Sequence, residues 1–164
     1  MKTPHPDFKP HLTPLQIIKL GGFGGFYFGK KLPKNYPDTW KKAYGSPTSK
    51  DITANAFKVD SGLSLEQWQA SGWIHEQDPL GWLQWYCQYY LGRRTEDDAR
   101  QISRWRAYTR HYQPVLKKGE GDVNKRRVQR QSLLHWGYDP VPDFPQIYGE
   151  SLFEKIKRVL KTPL

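Results

Sequence analysis

The stretch Gly81-Trp82-Leu83-Gln84-Trp85-Tyr86-Cys87-Gln88-Tyr89-Tyr90-Leu91-Gly92-Arg93-Arg94-Thr95-Glu96-Asp97-Asp98 decides the fold. Asp78-Pro79 just ahead of it reads as a helix start and Gly92 as the stop, which predicts a helix to Leu91. Thr95 followed by three acids opens a second helix, because negative charge suits the amino-terminal end of the helix dipole. That helix is expected to run to about Tyr112, ahead of Pro114, and to bury Ile102, Trp105 and Tyr112 along one stripe. Only Gly92-Arg93-Arg94-Thr95 joins the two, so they form an αα-hairpin of helix-turn-helix type with two arginines at its tip.

The same punctuation extends outward in both directions. Thr13-Pro14 starts a short helix to Leu20 that Gly21-Gly22 ends, and Pro37-Asp38 starts another to Tyr44. Residues 46–62 read as loop, with a brief extended piece at Ala56 to Val59. Ser64 with Gln67 and Ser151 with Glu154 are capping boxes, giving helices over 65–71 and 152–161. Asn124 to Trp136 forms a further helix, closed by Gly137. The reading is mainly α: a single compact domain of six or seven helices over 13–164, behind an extended arm at 1–12.

Size and composition bound what such a domain can be. A chain of 164 residues buries a real core without staples. Cys87 is the one cysteine, which excludes an internal disulfide and a cysteine-based zinc site and suits a reducing, intracellular (cytoplasmic) setting. Met1-Lys2-Thr3-Pro4-His5-Pro6 has no apolar run behind it, and no apolar stretch is long enough to span a membrane, so no membrane partner is expected.

Charge is concentrated. Of a formal net charge of +10, the segment 93–130 holds twelve Lys and Arg against five acids, a local charge of +7. Such a field favours phosphate backbones or anionic lipid. Lipid binding wants one clean apolar helix face, which is missing where rings and charges are mixed. Nucleic acid is the better partner, with Arg93, Arg94, Arg100, Arg104, Arg106, Arg110, Lys125, Arg126, Arg127 and Arg130 as candidate phosphate contacts. Arginine dominates that set, and its planar fork matches a phosphate or a guanine edge better than an ammonium does.

Aromatic residues supply the complementary signal. Trp82, Trp85, Tyr86, Tyr89 and Tyr90 wrap more than one face of their helix and cannot all enter one core. Gly21-Gly22-Phe23-Gly24-Gly25-Phe26-Tyr27-Phe28-Gly29 would put rings on a mobile glycine loop, suited to stacking on an unpaired base. The candidate pocket is therefore Phe23, Phe26, Tyr27, Trp82, Trp85, Tyr86 and Tyr90. The glycine segment is neither a P-loop nor a dinucleotide fingerprint, so no cofactor is expected. The five histidines are scattered, and His75-Glu76 with Asp78 lacks any partner motif, so no metal is expected. Among carboxylates, Asp139 in Trp136-Gly137-Tyr138-Asp139-Pro140 is the candidate catalytic acid or base, because an aromatic setting would raise its pKa.

Gly22-Phe23-Gly24-Gly25-Phe26-Tyr27, Gly81-Trp82-Leu83-Gln84-Trp85-Tyr86 through Gly92-Arg93-Arg94, Gln101-Ile102-Ser103-Arg104-Trp105 and Gln129-Arg130-Gln131 to Asp139 together resemble a family of small, basic, Trp-rich uncharacterised proteins of bacteria, algae and large viruses. The resemblance covers about residues 14 to 140. It implies one intact module and no mechanism.

Three functions follow as expectations. The leading one is a nucleic-acid-binding helical domain, for DNA or RNA, whose aromatic pocket holds an unstacked base. A second is an enzyme acting on nucleic-acid bases, of base-excising or base-modifying type, since such enzymes hold an extruded base between aromatic walls. A third is a protein-protein adaptor that uses exposed Trp and Arg as interface anchors.

Overall fold

Three helix starts form as their sequences demand. Thr13 accepts the Gln16 N–H while the Gln16 side chain reaches back to the Thr13 N–H, and Ser64 with Gln67 and Ser151 with Glu154 repeat the arrangement. The computed structural model describes residues 3–161. Within them lie eight α-helices: α1 Pro14–Lys19, α2 Asp38–Tyr44, α3 Leu65–Ala70, α4 Trp82–Tyr90, α5 Asp98–Ala107, α6 Thr109–Lys118, α7 Arg127–His135 and α8 Leu152–Leu160. Short 3-10 turns occupy Gly22–Gly25 and Ile52–Ala54, and the described residues contain no strand. Tyr108 alone separates α5 from α6, so counting those two as one kinked rod gives seven helices. The domain is mainly α and single, as its sequence reads. Among the described residues no helix is long and apolar enough to cross a membrane.

Several boundaries differ from the sequence reading, each for a local reason. Asp78 does not cap α4: its buried carboxylate takes two hydrogen bonds from Arg93, at 2.9 and 2.6 Å, and α4 starts instead at Trp82 behind Gly81. The second hairpin helix starts at Asp98 and not at Thr95. Asp98 reaches back to the Thr95 N–H at 3.0 Å and also accepts the Trp85 indole N–H at 2.8 Å, tying α5 to α4. Pro114 does not end the rod; it lies inside α6, where fully buried Val115 offsets the lost backbone hydrogen bond. Helix α7 starts at Arg127, later than Asn124, because Arg126 sits in the left-handed region at φ 63°. The extended piece at Ala56 to Val59 is a turn: buried Asn55 donates to Val59 O at 2.8 Å and accepts from Gly24 N at 2.7 Å.

Helix α4 is the axis of the core. Trp82, Leu83, Trp85, Tyr86, Cys87 and Tyr89 are all buried, so rings that wrap the helix are met by protein on nearly every side. One of those sides is the N-terminal arm. Instead of running extended, it turns at residues 6–7, where the Phe8 N–H donates to His5 O, and packs inward: Phe8 and Leu12 are buried, and Phe8 meets Trp85, Tyr86, Tyr89 and Trp105 edge-on at 5.1 to 5.4 Å. Such contacts contribute about 0.5–1.5 kcal/mol each beyond area burial. Residues 1–2 of the arm and 162–164 of the helical domain lie outside the described residues.

The glycine-aromatic segment is a close-packed seat. Gly21 has φ 72°, and a Cβ there would stand 1.8 Å from the Ala54 carbonyl oxygen. Gly24 has φ 66°, and a Cβ would stand 2.6 Å from Lys50 Cγ. The expectation of a free loop is corrected by this contact with residues 50–55, which only glycine allows.

Candidate functional site

Phe23 is held where a bulky residue resists being held. Its φ of 58° is left-handed, a conformation that costs an L-residue roughly 1–2 kcal/mol. Strain of that kind persists only where the surroundings over-determine it. Here the Phe23 N–H donates to His135 Nε2 at 2.9 Å, and the two rings stack at 4.0 Å and 14°. Burial pushes the pKa of His135 down to about 3, the dominant cause being desolvation, with the nearby Lys50 charge adding to it.

This pair forms one end of a cavity of about 340 Å³, within the usual range of small-molecule sites. Tyr27 stands beside Phe23 at 4.7 Å, its hydroxyl fixed by donation to Leu80 O at 2.6 Å. Trp82 from α4 and Trp136 from the end of α7 close another wall, 4.8 Å apart, and Tyr108 stacks on Trp136 at 4.7 Å and 16°. A further wall is built by residues 61–74: Leu63, Trp68 from α3, which meets Phe23 edge-on at 6.3 Å, Trp73 and Ile74. Leu63 and Trp73 are 47% and 42% exposed, so this wall is also the rim.

Two arginines complete the lining, Arg104 and Arg110. The Arg104 guanidinium lies 5.4 Å over the Trp136 ring and donates to Trp73 O at 3.3 Å and Gln101 Oε1 at 2.9 Å. Burial lowers its pKa, and the neighbouring Arg100 charge acts in the same direction. Arg110 is exposed, and its Nε donates to His111.

The structure divides the sequence-derived aromatic candidates. Phe23, Tyr27 and Trp82 line the cavity, whereas Phe26, Trp85, Tyr86 and Tyr90 do not. Trp85 is wholly buried and bonded to Asp98, Tyr86 donates to Leu12 O at 2.8 Å, and Tyr90 stands outside against Trp40. Trp68, Trp73, Tyr108, His135 and Trp136 were not among the pocket candidates. The sequence carries a signal for both: Trp68 and Trp73 stand in the mainly polar stretch Ser64-Leu65-Glu66-Gln67-Trp68-Gln69-Ala70-Ser71-Gly72-Trp73, with few apolar neighbours to bury them.

The basic set divides as well. Arg130 is corrected outright: it is 0% exposed, paired with Asp143 at 2.6 Å and bonded to the carbonyls of Lys125, Pro140 and Asp122, so no phosphate reaches it. Arg93 and Arg94 do not project from the hairpin tip. Arg93 is folded onto Asp78, and Arg94 lies 3.6 Å over the Tyr89 ring while donating to Tyr89 O. Arg100 is held by Asp97, and Arg127 by Phe57 O. Arg106 and Lys125 are exposed but carry carboxylate partners, Asp7 and Glu120. Arg126 is exposed and donates to Gln129 Oε1 at 3.1 Å.

Asp139 lies away from the cavity. One of its oxygens accepts from Val141 N at 2.8 Å and the other from Lys155 Nζ at 3.1 Å, so it closes a turn and pairs with a lysine. Among the described residues no three His, Cys, Asp or Glu side chains are grouped to hold a metal ion. Comparison of the chain with protein-family models, with curated proteins and with solved structures finds no match.

Proposed function

We propose that this protein binds single-stranded or locally opened nucleic acid and holds one unstacked base in the aromatic cavity. The observation that carries the reading is the composition of its walls: four indoles, two tyrosines and Phe23, with two guanidinium groups and no carboxylate. Flat rings give every base a stacking surface, and the guanidinium groups supply attraction for the flanking phosphates. An aromatic cage can also take a quaternary ammonium, but two arginines without an acid oppose a cation. A base in a continuous duplex could not enter, because it would have to leave its stack first.

The test is titration of the protein with short single-stranded and duplex DNA and RNA over a salt series. Binding is expected to favour single strands and weaken with salt. Trp73→Ala, which removes an exposed ring from the rim, is expected to lower affinity about tenfold, within the roughly 1–3 kcal/mol that base–aromatic stacking contributes. No binding at low salt would sink the proposal, and equal affinity for a fully paired duplex would remove the base-holding part.

A further inference from the structure

Positive charge that no acid has taken lies outside the segment where the sequence concentrates it. Residues 30–42 hold five lysines against one acid, Asp38. Asp38 stands 3.5 Å from Lys41, whose Nζ also donates to Lys34 O at 2.7 Å, so Lys41 belongs to the local fold. Lys30, Lys31, Lys34 and Lys42 are exposed, and among the described residues their ammonium groups pair with no carboxylate. Lys42 lies in the last turn of α2, where a cation also complements the helix dipole. Lys30, Lys31 and Lys34 belong to no helix and have no such duty. Lys31, Lys34 and Lys41 line one hollow of about 240 Å³ with Leu32 and Gly45, and no acid stands in its wall.

The same helix supports an exposed ring. Tyr90 is 54% exposed, and its ring rests 5.9 Å from buried Trp40, the residue just before Lys41 and Lys42. Phe28 joins this surface to the cavity. Its ring lies 4.8 Å from Tyr27 on the cavity wall and 6.2 Å from Tyr44, whose neighbour Gly45 lines the hollow. The Tyr44 hydroxyl donates to Gly29 O at 2.6 Å and accepts the Phe28 N–H at 3.1 Å, which pins the chain to α2 just ahead of Lys30 and Lys31.

Resting on the reading of the cavity as a base site, we infer that residues 30–42 and Tyr90 form a second contact surface for the same strand, the lysines meeting its phosphates and Tyr90 stacking on a second base. Fixed cations beside an open ring are the two parts from which single-strand sites are built. An ammonium is a compact point charge that takes a phosphate without reading a base. The surface therefore adds length to the site and leaves its base preference to the cavity.

The experiment uses the full-length protein with two single strands. One has about sixteen nucleotides, the upper end of single-strand site sizes, and the other about three, below the lower end. Replacing Lys30, Lys31, Lys34 and Lys42 together by Gln keeps their polarity and removes their charge. On the long strand this is expected to make the slope of log K against log salt shallower by about 2.8, and Tyr90→Ala to weaken binding about tenfold. Neither change is expected to alter binding of the trinucleotide, whereas Trp73→Ala weakens both strands. An unchanged slope and affinity on the long strand would overturn the inference, and so would equal losses on both strands. If the long strand binds but the trinucleotide does not, the cavity reading fails and the lysine surface stands as a backbone contact only. If neither strand binds, both fall.

Discussion

Arg130 has no exposed surface, so its charge belongs to the fold. Removing one member of a buried ion pair strands the other, which typically costs about 3–5 kcal/mol. Asp143→Ala is therefore expected to lower the unfolding free energy by that order, read by urea titration. Burial alone would raise the Asp143 pKa, but the Arg130 guanidinium outweighs it and holds the carboxyl below its usual range. A carboxylate depressed in the fold stabilises it above its unfolded pKa of about 3.9 and loses that contribution as acid protonates it. Gly119 makes the same point without touching either charge. Its φ would tolerate alanine, yet a Cβ would stand 2.3 Å from Asp143 Oδ2 and 2.5 Å from Arg130 Nη2. His135 sets a second acid window. With its folded pKa near 3 and an unfolded value of about 6.5, stability is complete above pH 6.5 and falls as pH drops between the two. The slope approaches about 1.4 kcal/mol per pH unit. In the folded protein, NMR is expected to show His135 neutral, with its proton on Nδ1, at every pH above about 4.

Helix α3 differs from the other α-helices in having nothing inside. None of its six residues is buried, and it is bracketed by Gly62 and Gly72 at positive φ. Its hold on the rest runs through few bonds: Ser61 Oγ to Val128 O, and the Trp73 carbonyl to Arg100 and Arg104. Elements of low burial open most readily. Amides of α3 are thus expected to exchange faster with solvent than those of α4, and to slow when an oligonucleotide occupies the cavity. Slow exchange in the free protein would contradict that low local stability. This element also marks where the sequence was legible. Its capping box located α3 to within a residue, as Ser151 and Glu154 located α8, because capping is chemistry between near neighbours. The start of α4 was misread, because the competitor for Asp78 is Arg93, a partner chosen by the tertiary fold. Phe23, Tyr27 and Trp82 were legible as pocket rings from their glycine-rich or overcrowded settings. His135 was not, because its role comes from Phe23 and Gln131 converging on one nitrogen, and no spacing encodes that.

At the scale of the whole molecule, a formal charge of +10 overstates the surface available to a polyanion. Of the ten basic side chains in the 93–130 set, Arg130 is buried, and Arg93, Arg100, Arg106 and Lys125 are paired with acids. Arg94, Arg104, Arg110, Arg126 and Arg127 are left to meet phosphates without first giving up a carboxylate. With Lys30, Lys31, Lys34 and Lys42 replaced by Gln, five phosphate contacts on a single strand give a slope of log K against log salt of about −3.5. A slope near −7, the value for all ten, would mean that the internal ion pairs open on binding.

The seat of Phe8 has a consequence for the order of events on the ribosome. Phe8 is made early, but the rings it touches, Trp85, Tyr86, Tyr89 and Trp105, are made much later. Until α5 has emerged, the arm has nowhere to go and the hairpin core has an open side. The arm is thus fixed only after Trp105 has been made, long after Phe8 itself, and a bulky group just ahead of Phe8 would act on that late docking while leaving the helices free to form.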